Sequence, residues 1–222
     1  MNIFDEGSAF QRFLGKMTDL MILNIVTLLM CLPVITAGAA LTGMHYVLLK
    51  MVRGQEGYIV RSFFRSFKRN LLQATVLWGV FLVLWYLVAS NLILLIRGEP
   101  GGSLWLLCAL LVTALILVIV MIYTFAILAR FDNTILHTLF NAVTLTLGEL
   151  PRSLEMLLIT LIPLAAGLRV TVLLPLLILF GLSVPGYACA MVYEPVFARI
   201  ERQLPDQTQD RREDDPDSGQ ID

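Results

Sequence analysis

The chain has 222 residues, of which 58% are hydrophobic and 15% charged, with a mean hydropathy of +0.80 and a formal net charge of −1. Soluble domains carry about one quarter charged residues, so this composition excludes an ordinary water-soluble globule, and no nucleic-acid partner is expected. It points to a protein dissolved in lipid.

Uncharged stretches run over 20–49, 70–96, 100–129, 156–168 and 170–193. Four exceed the roughly 20 residues with which a helix crosses about 30 Å of hydrocarbon. The fourth borrows a turn from Leu150 to Glu155, because Arg152 and Glu155 can reach the interface. The runs are continuous rather than alternating, which favours helices over a barrel. The expected fold is an all-α integral membrane protein with about five transmembrane helices and one or two cytoplasmic interfacial amphipathic helices. Residues 1–204 form a single membrane domain, with crossings at 20–42, 71–96, 104–129, 150–168 and 170–193.

The first run ends in "LPVITAGAAL". Pro33 removes a backbone donor and disfavours helix at Leu32, while Gly38 and the Ala39/Gly43 pair offer close backbone approach. Pro33, Thr36, Gly38 and Gly43 therefore mark a structural break followed by a packing surface, and Thr36 is a candidate cap for the helix that resumes. Ala37-Gly38-Ala39 has the small-x-small look of a signal-peptidase site, but Asp19 abuts the apolar core and the apolar character continues past it, so the segment is expected to stay. Two paths remain for residues 20–50. A single crossing sends the N-terminus out; a re-entrant hairpin returns it inside, with arms of roughly 20 Å that fall short of the full core. Length favours the single crossing.

The connector that follows holds Lys50, Arg53, Arg61, Arg65, Lys68 and Arg69 against Glu56. Loops rich in Lys and Arg stay in the cytoplasm. Five crossings then place the C-terminus inside, with twelve Lys/Arg on the cytoplasmic side and Arg12, Lys16, Arg97 and Arg169 outside. Within 58–71, Ile59, Val60, Phe63, Phe64, Phe67 and Leu71 share one helical face, and Arg61, Arg65, Lys68 and Arg69 the opposite one. The pattern predicts a helix along the headgroups, its phenylalanines in the acyl boundary and its cations on anionic lipid or a cytosolic partner.

"RGEPGGS" makes an outer turn between the second and third crossings. After Arg130, an apolar set (Ile135, Leu136, Leu139, Phe140, Val143, Leu147) and a polar set (Thr134, His137, Thr138, Asn141, Thr144) predict a second short interfacial helix. "GLRV" joins the last two crossings, and Pro163, Pro175 and Pro185 place kinks in them. Cys31, Cys108 and Cys189 lie in apolar runs without metal spacing and read as small hydrophobes. The tail from Pro205 carries seven acids against Arg211 and Arg212, net −5, and is expected to be disordered over 205–222.

"LPVITAG", "YVLLKMVRGQEGY" and "SFFRSFKRNLLQAT" together resemble the YesL family, bacterial membrane proteins of unknown function. The matching positions are Leu32, Pro33, Thr36, Gly38, Lys50, Arg53, Gly54, Glu56, Phe63, Phe64, Phe67, Lys68, Asn70, Gln73 and Ala74. Departures are Gln55, where an acid is common, and Leu72, where an aromatic is common. YesL-like proteins are often encoded beside carbohydrate ABC importers, so the resemblance implies an accessory, assembly or regulatory component of carbohydrate uptake, with such an importer as membrane partner. A small-solute transporter for neutral sugars is the alternative, although such paths are usually marked by intramembrane charges. His45 and His137 lack companions for catalysis, and no P-loop or serine elbow occurs. No enzyme, cofactor or metal is expected. The expected place is the bacterial cytoplasmic membrane, multipass.

Overall fold

A computed structural model describes residues 9–55, 57–97, 104–169 and 174–203. These residues are helical, with no strand among them. The helices are α1 (Ala9–Cys31), α2 (Ala37–Val52), α3 (Ile59–Ile96), α4 (Leu104–Arg130), α5 (Ile135–Gly148), α6 (Leu150–Arg169), α7 (Leu174–Phe180) and α8 (Ser183–Gln203), with one 3₁₀ turn at Val34–Thr36. Among the described residues, five segments are long and apolar enough to cross a membrane: Phe13–Cys31, Val34–Val52, Ile59–Ile96, Leu104–Arg130 and Leu150–Gly167.

Three of them cover the crossings expected at 71–96, 104–129 and 150–168, whereas those expected at 20–42 and 170–193 differ. The expected crossing at 20–42 is two helices, since α1 stops at Cys31 and α2 starts at Ala37. Pro33 and the 3₁₀ turn separate them. Thr36 stands at the start of α2 without capping it; its hydroxyl donates backward to the carbonyls of Met30 (2.7 Å) and Pro33 (2.9 Å). It thus serves the carbonyls that the end of α1 leaves open. At the far end of the pair, Asp19 of α1 lines one shallow depression with Lys50 and Met51 of α2. The two helices are therefore antiparallel arms of a hairpin, and the single-crossing expectation is corrected.

The second correction concerns α3. The expected interfacial helix at 58–71 and the crossing at 71–96 form one uninterrupted helix of 38 residues. No break separates an interfacial part from a crossing part. Nor do the phenylalanines all face lipid: Phe63 is buried and stacks with Phe67, with Phe64 against both. Gly43 makes room for Phe63, since a Cβ there would come within 3.1 Å of its ring. Gly38 does the same higher up, where a Cβ would meet the Ala74 carbonyl at 2.5 Å and Trp78 Cβ at 2.7 Å. The α2–α3 contact is thus a near-backbone approach.

α4 and α6 occupy the third and fourth uncharged runs. Of the expected crossing at 170–193, residues 170–173 lie outside the described residues, and the remainder is interrupted between α7 and α8, which continues to Gln203. Pro163 lies inside α6, whereas Pro185 sits in the first turn of α8, where a missing N–H costs nothing. The outer turn at 98–103 and the tail at 205–222 also lie outside the described residues.

The core gathers at one end. Buried residues of α3 run from Phe63 to Phe81, and those of α4 from Ile119 to Ala129. Beyond them, 82–96 and 104–118 expose apolar side chains such as Leu82, Leu87, Trp105 and Val112, a surface suited to lipid and not to water. α5 packs through the small stripe Thr138, Ala142 and Thr146, leaving Leu136, Phe140 and Leu147 exposed on one flank and His137, Asn141 and Thr144 on the other.

Candidate functional site

The charged residues collect where α2, α4 and α8 end and α3 begins. α2 closes in a Schellman turn: the Gln55 N–H donates to the Lys50 carbonyl (3.0 Å) and the Gly54 N–H to that of Met51 (3.2 Å). Gly54 takes φ +68°, a conformation a side chain would oppose. This turn carries Arg53 onto α8. Arg53 Nε donates to Glu194 Oε1 at 3.0 Å and its Nη2 to Glu201 Oε2 at 3.3 Å, while Arg130 Nε, from the last turn of α4, donates to Glu201 Oε1. Four half-buried charges of zero sum thereby join three helices. Beside them His45 Nδ1 and the Tyr193 hydroxyl share a buried hydrogen bond of 2.9 Å. Glu149, after α5, accepts from Arg152 at 2.7 Å and lies 3.7 Å from Arg199.

Next to this paired cluster stands the basic face of α3. Arg61, Arg65, Lys68 and Arg69 are all exposed, on one side of the first three turns. Arg69 lies 3.9 Å from Asp132, a pair open to solvent. Arg61 and Lys68 have no carboxylate partner among the described residues. Among the described residues the basic face is electropositive and exposed, suited to an extended anionic surface or chain. The depression at Asp19, Lys50, Gln55 and Ser62 is shallow.

The family-motif residues are spread over several contacts. Gly38 faces Ala74, and Asn70 Nδ2 donates to the Ser66 carbonyl (3.1 Å) within buried α3. Gln73 Nε2 donates to the Asn133 carbonyl (3.2 Å), fastening α3 to the chain between α4 and α5. Leu32 is exposed at the break, and Glu56 lies outside the described residues. Pro33, Thr36 and Gly38 serve the hairpin and its packing away from the basic face, while Gly43 packs on the buried Phe63 within the turns that carry the cations.

Three features escaped the sequence reading. Asn24, fully buried in α1, accepts the N–H groups of Leu182 and Ser183 on Oδ1 (2.9 Å each) and donates to the Ile178 carbonyl (2.7 Å). It satisfies the break between α7 and α8 from another helix. The Glu194/Glu201 pair was detectable, because a separation of seven puts both acids on one helical face. The His45–Tyr193 bond had no local signal. Among the described residues, no group of three His, Cys, Asp or Glu could hold a metal ion.

Apolar helices of membrane-crossing length with charge gathered at one end define a multipass membrane protein. Within that class, residues 20–92 match the family described as "Protein of unknown function, DUF624", the type to which YesL proteins belong. No curated protein and no solved structure matches the chain.

Proposed function

We propose that the protein is an accessory, assembly or regulatory component of a membrane complex in the bacterial cytoplasmic membrane, with its basic face at the cytoplasmic surface. The carrying observation is the exposed row Arg61, Arg65, Lys68 and Arg69 on the N-terminal turns of α3. α3 is 38 residues long, about 57 Å against about 30 Å of hydrocarbon. Its first turns are free to stand beyond the lipid tails while the rest is embedded, and they are stiff because the helix continues. Four cations held on such a post fit anionic headgroups or an acidic surface of a partner protein.

Orientation follows from charge. The antiparallel α1–α2 hairpin puts Arg12 and Lys16 at the same end as Lys50, the basic face, Arg130, Arg152, Arg199 and Arg202, leaving Arg97 and Arg169 at the other. Such a bias favours the crowded end inside, with both α1's start and α8's end in the cytoplasm. In this reading α5 lies in the interface with Leu136, Phe140 and Leu147 in the acyl boundary. The link to carbohydrate uptake rests on the YesL resemblance.

A second reading, a small-solute transporter, draws on the interruption between α7 and α8, since broken helices often frame transport sites. Asn24 already occupies the N–H groups of Leu182 and Ser183, however. Affinity purification from mild detergent separates the two: co-purification of a stoichiometric membrane partner, lost when Arg61, Arg65, Lys68 and Arg69 become Gln, is expected. Protein-dependent uptake of a labelled sugar by liposomes holding this chain alone would favour the transporter instead.

A further inference from the structure

We infer that the acidic segment 204–222 of this chain docks on the basic face of α3 and acts as an internal competitor for whatever else binds there. The inference rests on the proposed reading of that face as an electrostatic docking surface, and names its occupant in the unengaged protein.

Two observations bring the partners together. The first is the point of departure. α8 ends at Gln203, two residues past Glu201, whose carboxylate is held by Arg53 and Arg130. Arg53 closes α2 just before α3 begins at Ile59, and Arg130 closes α4 two residues before Asp132, which lies 3.9 Å from Arg69. α8 therefore ends among the charged termini of α2 and α4, at the same end of the bundle as the basic row. The segment's acids at 213–217 follow Gln203 by about 10–14 residues, a reach of about 33–50 Å when extended, whereas Arg61 to Arg69 spans about 12 Å of helix. Reach is not limiting.

The second observation is charge. Asp206, Asp210, Glu213, Asp214, Asp215, Asp217 and Asp222 stand against Arg211 and Arg212, net −5, and across from them lie four exposed cations, of which Arg65 and Arg69 already have interactions within the described chain and Arg61 and Lys68 have no carboxylate partner among the described residues. The acids on α8 that might otherwise neutralise the row are committed: Glu194 and Glu201 hold Arg53 and Arg130. Tethering adds an effective concentration in the millimolar range, so individually weak, salt-screened pairs suffice. Release follows when a partner or an anionic membrane outbids the tether.

The test places benzoylphenylalanine at position 68, and separately at 61, in the full chain, reconstituted as single copies in phosphatidylcholine nanodiscs. After irradiation, adducts are mapped by proteolysis and mass spectrometry. Adducts on 204–222 are expected, falling about tenfold between about 0.1 M and 1 M salt as the screening length shortens from about 10 to 3 Å. The same loss is expected in a variant carrying Asp210→Asn, Glu213→Gln, Asp214→Asn, Asp215→Asn and Asp217→Asn. Adducts confined to lipid or to other helices, or tail adducts indifferent to those substitutions, would overturn the inference. Nanodiscs containing phosphatidylglycerol separate the two proposals: a reduced tail yield supports both, and an unchanged yield supports the tail while removing anionic lipid as the competitor.

Discussion

Asn24 bonds three backbone groups of a distant segment. Replacing it by Ala removes the partner of the buried Ser183 N–H and of the half-buried Leu182 N–H and Ile178 carbonyl. We expect Asn24→Ala to cost about 1–3 kcal/mol in detergent unfolding. Asn91→Ala, which removes only an exposed bond to the Leu87 carbonyl of its own helix, should stay within about 0.5 kcal/mol. Equal effects would show that Asn24 does not hold the break. From sequence, Asn24 was visible only as a polar residue in an apolar run, because its partners lie about 150 residues on and no local pattern announces them. Arg53 was similarly half legible: its family-motif position is plain, its two carboxylate partners are not.

Among the helices, Pro33 announced the break, yet the path across it was misjudged. Arm length was counted from charge to charge, over 20–49. The actual arms run past the charges: α1 begins at Ala9 and includes Lys16 and Asp19, and α2 passes Lys50 to reach Val52. Long side chains near a helix end can carry their charge to the interface, so the apolar run understates the helix. The opposite error cut α3 in two, although nothing between Tyr58 and Ile96 stops a helix; Gly79 is its one glycine and there is no proline. The packing residues Gly38 and Gly43 were legible as small positions, but their opposite numbers, Ala74, Trp78 and Phe63, were not. Gly38→Ala should destabilise by about 1–3 kcal/mol, because its Cβ would meet the Ala74 carbonyl and Trp78. Gly79→Ala, with nothing within 4 Å, should be neutral or stabilising by up to about 1 kcal/mol. Thermal unfolding of the two purified variants checks the contrast; equal melting temperatures would contradict the close α2–α3 approach.

At the scale of the whole molecule, the hairpin changes what the charges say. With α1 and α2 antiparallel, almost every Lys and Arg of the described chain lies at the end where the buried core also gathers, and the opposite end keeps Arg97 and Arg169. Composition alone made the solvent legible; it could not show that the polar network and the basic face share one end, because that follows from how eight helices are folded back on each other. The account is tested most directly by thiol labelling of Arg65→Cys in a variant whose Cys31, Cys108 and Cys189 are replaced by Ser. Using a membrane-impermeant maleimide, we predict labelling in inverted membrane vesicles and protection in intact cells. Labelling from outside intact cells would place the basic face on the wrong side and contradict the account.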